Sequence, residues 1–472
     1  MKVAKWAIAA GLFGVVLWGR AAADEGLAPS PSLRQPMSFQ QTAFEDGSNL
    51  SFSSQDEAGE SPSDQPAPQP AQSPSEEAGC SEACDTCDDQ SCGRCAGGCE
   101  AWRLPQPCFL ARRGITVGGW LDQGITFNPD DPGNRFNGPV TFNDRSNEYQ
   151  LNQLYLYAER AAATGGYGWD VGGRVDLIYG TDHRFTVARG LEDDWNLSQR
   201  FYGAGLPQLY LDLAYNDLTI RVGHFYTIMG YEVVTAPDNF FYSHTYTHQY
   251  GEPFTHTGVL FMYDLSRSWS LKAGFDRGWN NWEDNNDDLG FLGRLDWTSW
   301  DERTTLGLGL TTGNEDDAGL NNRTLFSLVF TRMLTDRLQY VFQLDTAWEQ
   351  NAAGAGTQDA EWYGIVNYLF SELNPRWSVG LRQEWFADDD GVRVADVNAA
   401  GGPPRGILLN GVPSHWQEIA LGVRWTPNEN VIVRSELRWD WVEPLVPVSD
   451  GPFDDYGQLD QFIWGTDLIV TF

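Results

Sequence analysis

From residue 114 onward the chain alternates apolar and polar side chains with a period of two. That period marks β-strands with one face against an apolar medium. Sixteen such segments are expected: 114–127, 148–159, 167–179, 206–215, 218–226, 254–263, 269–278, 289–299, 303–312, 323–333, 337–348, 360–370, 376–386, 415–425, 430–440 and 459–472. In 337–348, Leu338, Tyr340, Phe342, Leu344 and Trp348 oppose Gln339, Gln343 and Asp345. In 430–440, Val431, Val433, Leu437 and Trp439 oppose Arg434, Glu436, Arg438 and Asp440. Segments 167–179 and 289–299 divide in the same way, with Asp170, Arg174 and Asp176 on one polar face and Arg294 and Asp296 on the other. Segments 148–159 and 254–263 alternate poorly, and their faces stay unassigned. No helical period interrupts the series.

The connections alternate in length. Asn216-Asp217, 265–268, 300–302, 334–336, 371–375 and 426–429 are short, whereas 128–147, 180–205, 227–253, 387–414 and 441–458 are long. A soluble sandwich gives no reason to gather its long loops at one end. A membrane barrel does, with short turns on the periplasmic side and long loops outside. An Arg or Lys facing lipid at mid-membrane costs about 2 to 4 kcal/mol, so the charged faces must turn to a lumen. Trp269, Trp297, Trp377 and Trp425 lie toward the short-turn end, and Trp348, Trp385, Trp439 and Tyr179 toward the long-loop end, as two interfacial belts require. The fold class expected is all-β: a closed antiparallel transmembrane barrel of about sixteen strands, both termini on the short-turn side.

The front of the chain differs. Lys2 and Lys5, an apolar run from Trp6 to Trp18 and Ala21-Ala22-Ala23 read as a signal peptide cleaved after Ala23. Residues 24–79 are rich in Pro, Ser, Gln, Glu and Ala, which predicts a disordered linker. A Cys-rich segment, 80–108, then holds Cys80, Cys84, Cys87, Cys92, Cys95, Cys99 and Cys108. Disulfides are the default in an exported chain. Metal binding through the two C-x-x-C pairs and the absence of a defined role are the alternatives. Only four residues separate the pairs, against about 15 to 20 in zinc ribbons. Seven is odd, so one thiol is left over. The barrel takes 114–472, and the arm before it is placed in the periplasm.

A formal net charge of −34 excludes nucleic acid as a partner, because phosphate binding needs clustered Lys and Arg. The aromatic content of 13%, with 20 Trp, fits girdled barrels.

The stretch FNDRSNEYQLNQLYLYAER (142–160), with GGRVDLIYGTD (172–182), LPQLYLDLAYNDLTIRVGHFYTIMGYE (206–232) and NFFYSHTYTHQYGEPFTHTGV (239–259), resembles the OmpL-like family of bacterial β-barrel porins. The match is densest over 114–300. The terminal strand ending in Phe472 also resembles the C-terminal insertion signal of outer-membrane barrels. These resemblances imply an outer-membrane pore, contact with lipid and with the barrel-assembly machinery, and no catalytic residues to transfer.

A barrel of 16 strands leaves an aqueous channel that something must narrow. The third long loop, 227–253, is the candidate constriction, with Glu232, Asp238, His244 and His248 as its polar groups and Phe240, Phe241, Tyr242, Tyr246 and Tyr250 to pack it down. The alternative is a surface loop or a contact with a neighbouring subunit. The expected lumen wall comprises Arg174, Asp176, Asp212, Arg221, Lys272, Asp276, Arg294, Asp296, Arg382, Glu384, Arg434, Glu436 and Asp467, read as solvated and nearly balanced in charge. His244 and His248, with His256 beyond, suggest a metal, but nearby Gly251 and Pro253 argue for loop over helix, so no metal or cofactor is expected. Acid clusters at Asp130-Asp131, 192–194, Glu283-Asp284, Asp287-Asp288, 315–317, 388–390 and Asp454-Asp455 suggest a negative vestibule.

The leading function is passive diffusion of small hydrophilic solutes or ions, in a chain able to form a homo-oligomer. A structural envelope protein tethered through the Cys-rich arm is the second. A barrel enzyme lacks a nucleophile set, and a gated transporter needs about 22 strands.

Overall fold

The computed structural model describes residues 101–195, 201–354, 356–394 and 412–472. The signal-peptide, linker and first six cysteine readings lie outside these residues. Cys108 opens a one-turn helix, α1 (Cys108–Ala111).

Sixteen strands form one closed antiparallel barrel in sequence order. They are β1 (Thr116–Phe127), β2 (Tyr149–Arg160), β3 (Trp169–Gly180), β4 (Gly203–Tyr215), β5 (Leu218–Tyr226), β6 (Thr255–Ser266), β7 (Trp269–Asp276), β8 (Gly290–Thr298), β9 (Thr304–Asn314), β10 (Asn322–Met333), β11 (Leu338–Ala353), β12 (Gln358–Asn374), β13 (Trp377–Asp388), β14 (Ser414–Asn428), β15 (Val431–Pro444) and β16 (Asp460–Thr471). β1 pairs with β16 from Trp120↔Thr471 to Phe127↔Trp464. Gly119 and Phe472 exchange two backbone hydrogen bonds of 2.9 Å, so the terminal aromatic residue seals the seam. Both ends of the barrel chain therefore lie at the turn end.

The two strands that alternate poorly do so for different reasons. In β2, Asp122 pairs with Gln153 but Gln123 pairs with Leu151, so Asn152 is an extra residue. This bulge turns Asn152 and Gln153 inward in succession and inverts the phase beyond them. In β6 the alternation is intact, but Leu260 and Met262 occupy inward positions and pack in a buried cluster. Polarity therefore does not mark its faces. The β4–β5 hairpin turns on two residues, with Asn216 at φ 52°, a conformation Asn tolerates better than most residues.

Aromatic pairs ring both ends of the outer wall. Trp377 stacks on Trp425 at 5.7 Å at the turn end, and Phe326 lies 5.9 Å from Trp348 at the loop end.

Candidate functional site: the lumen and its inward loop

The loop L3 (227–254) starts at β5, crosses the lumen and returns to β6. Phe240 and Phe241 pack on inward Val329, Val341, Val366, Tyr368, Phe370 and Ala420. The interior is thus an apolar core on this side, where the sequence alone suggested a solvated wall. Inward glycines give the loop room. A Cβ on Gly380 would stand 2.5 Å from the Phe240 ring, and one on Gly422 2.8 Å from Phe241. At Gly364 it would meet Thr247 at 2.4 Å. These strands approach the loop too closely for any side chain.

The wall charges hold the loop by its main chain. Glu436 accepts the N–H groups of Tyr242 (3.0 Å) and Ser243 (3.1 Å). Glu384 accepts those of Tyr246 (2.8 Å) and Thr247 (2.6 Å). Arg434 donates to the carbonyls of Ala236, Asn239 and Phe241 at 2.9, 3.0 and 2.8 Å while paired with Asp467. Arg382 donates to the Ser243 carbonyl (2.7 Å), Glu232 (3.0 Å) and Glu418 (2.6 Å), and is itself fully buried. Burial is tolerable for Arg382 and Arg434 because each is paired and hydrogen-bonded, and for Glu384 and Glu436 because each accepts two backbone N–H groups.

The expected wall residues therefore divide. Arg382, Glu384, Arg434, Glu436 and Asp467, on β13, β15 and β16, lie buried beneath L3, which corrects their reading as a solvated wall. Arg174, Arg221, Lys272, Arg294 and Asp296, on β3, β5, β7 and β8, line an open cavity. Arg174 bridges Glu159 (3.0 Å) and Asp176 (2.7 Å). Arg221 pairs with Asp212 at 2.9 Å. Lys272 and Arg294 share Asp296, at 3.6 and 2.7 Å. Asp276 instead pairs with His256, whose Nε2 lies 3.0 Å from Thr227 Oγ1 at the root of L3.

Within L3, Glu232 is clamped between Arg382, the Tyr368 hydroxyl (3.0 Å) and His244 (3.1 Å). Burial pushes its carboxyl up, but the charge of Arg382 and the hydrogen bond with His244 outweigh burial and hold it well below the usual range. Asp238 lines the cavity, and burial raises it to about 7. Thr247–Gly251 forms one helical turn, where the Gly and Pro content suggested loop. The turn brings the rings of His244 and His248 to 4.8 Å. Burial lowers both to about 4, so they are neutral at pH 7. No metal-binding group forms among the described residues.

The cavity measures about 1340 Å³. It opens at the turn end between Trp102, Arg103, Arg267 and Glu429, and L3 is its ceiling. Residues 101–106 are fixed at that mouth: Trp102 and Asn430 exchange hydrogen bonds of 2.6 and 2.7 Å, and Gln106 bonds both backbone groups of Val117.

The family described as "Putative beta-barrel porin-2, OmpL-like" matches residues 114–472. The chain belongs to that family. No curated protein matches this porin. Among solved structures, the outer membrane channel DcaP of Acinetobacter baumannii is similar at 10% identity over 76% of this chain and 97% of that one, TM-score 0.49. The anion-selective porin from Comamonas acidovorans is similar at 10% identity over 76% and 99%, TM-score 0.48. OmpT of Vibrio cholerae is similar at 14% identity over 79% and 100%, TM-score 0.46.

Several of the porin's loop acids hold loop backbone. Asp455 accepts the N–H groups of Gly133 (2.6 Å) and Asn134 (2.7 Å), and Asp388 accepts three from Val392, Arg393 and Val394. Asp284 and Asn286 cap the turn that carries Asp287 and Asp288. The sequence reading missed as loop anchors Gln153, which bonds the Val234 carbonyl and the Ala236 N–H, Asn152, which accepts from the Tyr242 hydroxyl, and the wall glycines. The one available signal was glycine recurring in phase with inward polar positions, as at Gly380 beside Arg382 and Glu384.

Proposed function

We propose that this porin passes small hydrophilic solutes or ions by passive diffusion, with L3 as its constriction. One observation carries the reading: L3 is docked across the lumen and leaves a cavity of about 1340 Å³ lined by charged side chains and open at one end. A channel wall needs charge that stays solvated, and a constriction needs a loop held from the wall. Two observations support this reading: charged side chains of β3, β5, β7 and β8 line the cavity, and Glu384 and Glu436 hold the L3 main chain from β13 and β15. The turn end is periplasmic in this reading, with the N-terminal arm emerging there.

A modest cation preference follows from the acidic loops, because the cavity charges are largely paired. Purified protein in planar bilayers should form discrete conductance steps. Its reversal potential across a KCl gradient should favour K⁺ at low salt and weaken as the screening length falls. Absence of conductance, or anion selectivity, would refute the respective parts of the reading.

A further inference from the structure

Two of the cavity cations are fully matched. Arg174 has two carboxylates, Glu159 and Asp176, and Arg221 holds both oxygens of Asp212, each at 2.9 Å. Lys272 and Arg294 differ. They are direct register partners on β7 and β8, both line the cavity, and they share one carboxylate, Asp296. Like charges directly opposite each other destabilise a sheet, and a single carboxylate offsets only one of them. Asp264, one inward position nearer the turn end on β6, makes no ion pair with either cation.

The donors of this pair are unfilled as well. Arg294 spends Nε on Asp296 (2.7 Å) and Nη1 on the carbonyls of Ile228 and Gly230 (2.8 and 3.4 Å). Its Nη2 has no acceptor among the described residues. The Lys272 ammonium carries three donors, and its carboxylate partner Asp296 stands 3.6 Å away, beyond hydrogen-bond length. Both side chains are mostly buried, 14% exposed for Lys272 and 12% for Arg294, so unfilled donors are costly here. Across from them lies Gly307 on β9, the register partner of Asp296. A Cβ on Gly307 would collide with Arg294 Nη2 and stand 2.9 Å from Asp296 Oδ1. The missing side chain leaves a cradle with a guanidinium nitrogen and an ammonium facing the cavity.

We propose that Lys272, Arg294 and Gly307 form a binding site for an oxyanion group, a carboxylate or a phosphate, on a small solute that enters from the turn end. The class follows from the charge count and the open donors. An oxyanion supplies the missing negative charge, and its separate oxygens accept from Nη2 and from the ammonium at once. A single excess charge is small against the acidic loops, so a channel that favours K⁺ still holds an oxyanion here. The inference goes beyond the diffusion reading and does not depend on conductance.

The test uses the full-length protein in detergent at low salt. Succinate and inorganic phosphate are titrated separately, with binding read from the broadening of their proton and phosphorus NMR lines. At least one should bind saturably, and which one does names the source of the oxyanion. Succinamide, neutral and of similar shape to succinate, should not bind. K272M should weaken binding about tenfold or more, the weight of one charge-assisted hydrogen bond. G307A should weaken it while every charge is kept, because the methyl fills the cradle. D296N should tighten it, because the competing carboxylate is gone, an effect that a purely structural role for Asp296 does not produce. Heat-modifiable mobility checks that each variant barrel is folded. No saturable binding to wild type, equal binding of succinamide, unchanged affinity in folded K272M or G307A, or a folded D296N that binds no tighter would overturn the proposal. Where one variant fails to fold, the other two decide.

Discussion

Replacing Arg382 by Met should release L3. The methionine keeps much of the side chain's length but removes every bond the guanidinium makes. Glu232 and Glu418, now 6% and 0% exposed at their side chains, would lose their shared cation. The Ser243 carbonyl, 2.7 Å from Arg382, would lose that donor, and the Ser243 hydroxyl, 2.8 Å from Arg382, would keep only Arg438 at 3.1 Å. Breaking a buried ion pair from one side costs about 3 to 5 kcal/mol. That shifts the balance between docked and undocked loop by roughly two to three and a half orders of magnitude. The loss falls on docking and not on the strand ladder, so R382M should remain a heat-modifiable barrel. Single-channel conductance should rise, and proteinase K should cut within 227–254, with the sites mapped by mass spectrometry. The triple variant R382M/E232Q/E418Q should recover part of the docking, because no charge is then stranded. A folded R382M with wild-type conductance and a protected L3 would refute the claim that these buried charges hold the constriction.

Gly380→Leu should act from the packing side. The Cβ alone would meet Phe240 at 2.5 Å, and overpacking costs about 1 to 3 kcal/mol, so L3 should become protease-sensitive while outward Leu381→Val changes nothing. Acidification should act through the histidine pair. Folded values near 4, below the ordinary 6.5, mean that their contribution to docking is full above pH 6.5 and is lost as pH falls toward 4. Asp238 and Glu252, raised by burial to about 7, work in the reverse sense, losing stability as pH rises from the ordinary carboxylate range toward 7. The histidine part is therefore the difference in L3 protease protection between wild type and H244Q/H248Q. That difference should be larger at pH 7 than at pH 4, and a pH-independent difference would count against it.

The barrel was legible because the membrane imposes one rule on every strand. Outward positions must be apolar, so the period of two survives whatever the inside requires, and the strand boundaries follow from where it stops. Inside, no single solvent sets the rule. On β3, β5, β7 and β8 the basic residues Arg174, Arg221, Lys272 and Arg294 border the open cavity, as the pattern suggests, whereas Asp176 and Asp276 are buried in pairs instead of solvated. β13 and β15 face a loop, and Glu384 and Glu436 look the same in the sequence as a solvated carboxylate. What distinguishes them is a partner more than 100 residues away in the chain, and that partner is backbone, which leaves no trace in side-chain pattern. The same reasoning explains Asn152 and Leu260. A bulge is one residue inserted in one strand, invisible unless both strands are aligned, and an inward leucine is anomalous only if the lumen is assumed wet. The aromatic loop was the clue that it is not. Phe240, Phe241, Tyr242, Tyr246 and Tyr250 in one connection need an apolar or hydrogen-bonding wall to bury against. The glycines facing them, Gly364, Gly380 and Gly422, are the complementary half of that requirement on neighbouring strands. Loop aromatics and wall glycines together specify which side of the barrel is filled, and the charged ladder that remains then specifies which side stays open.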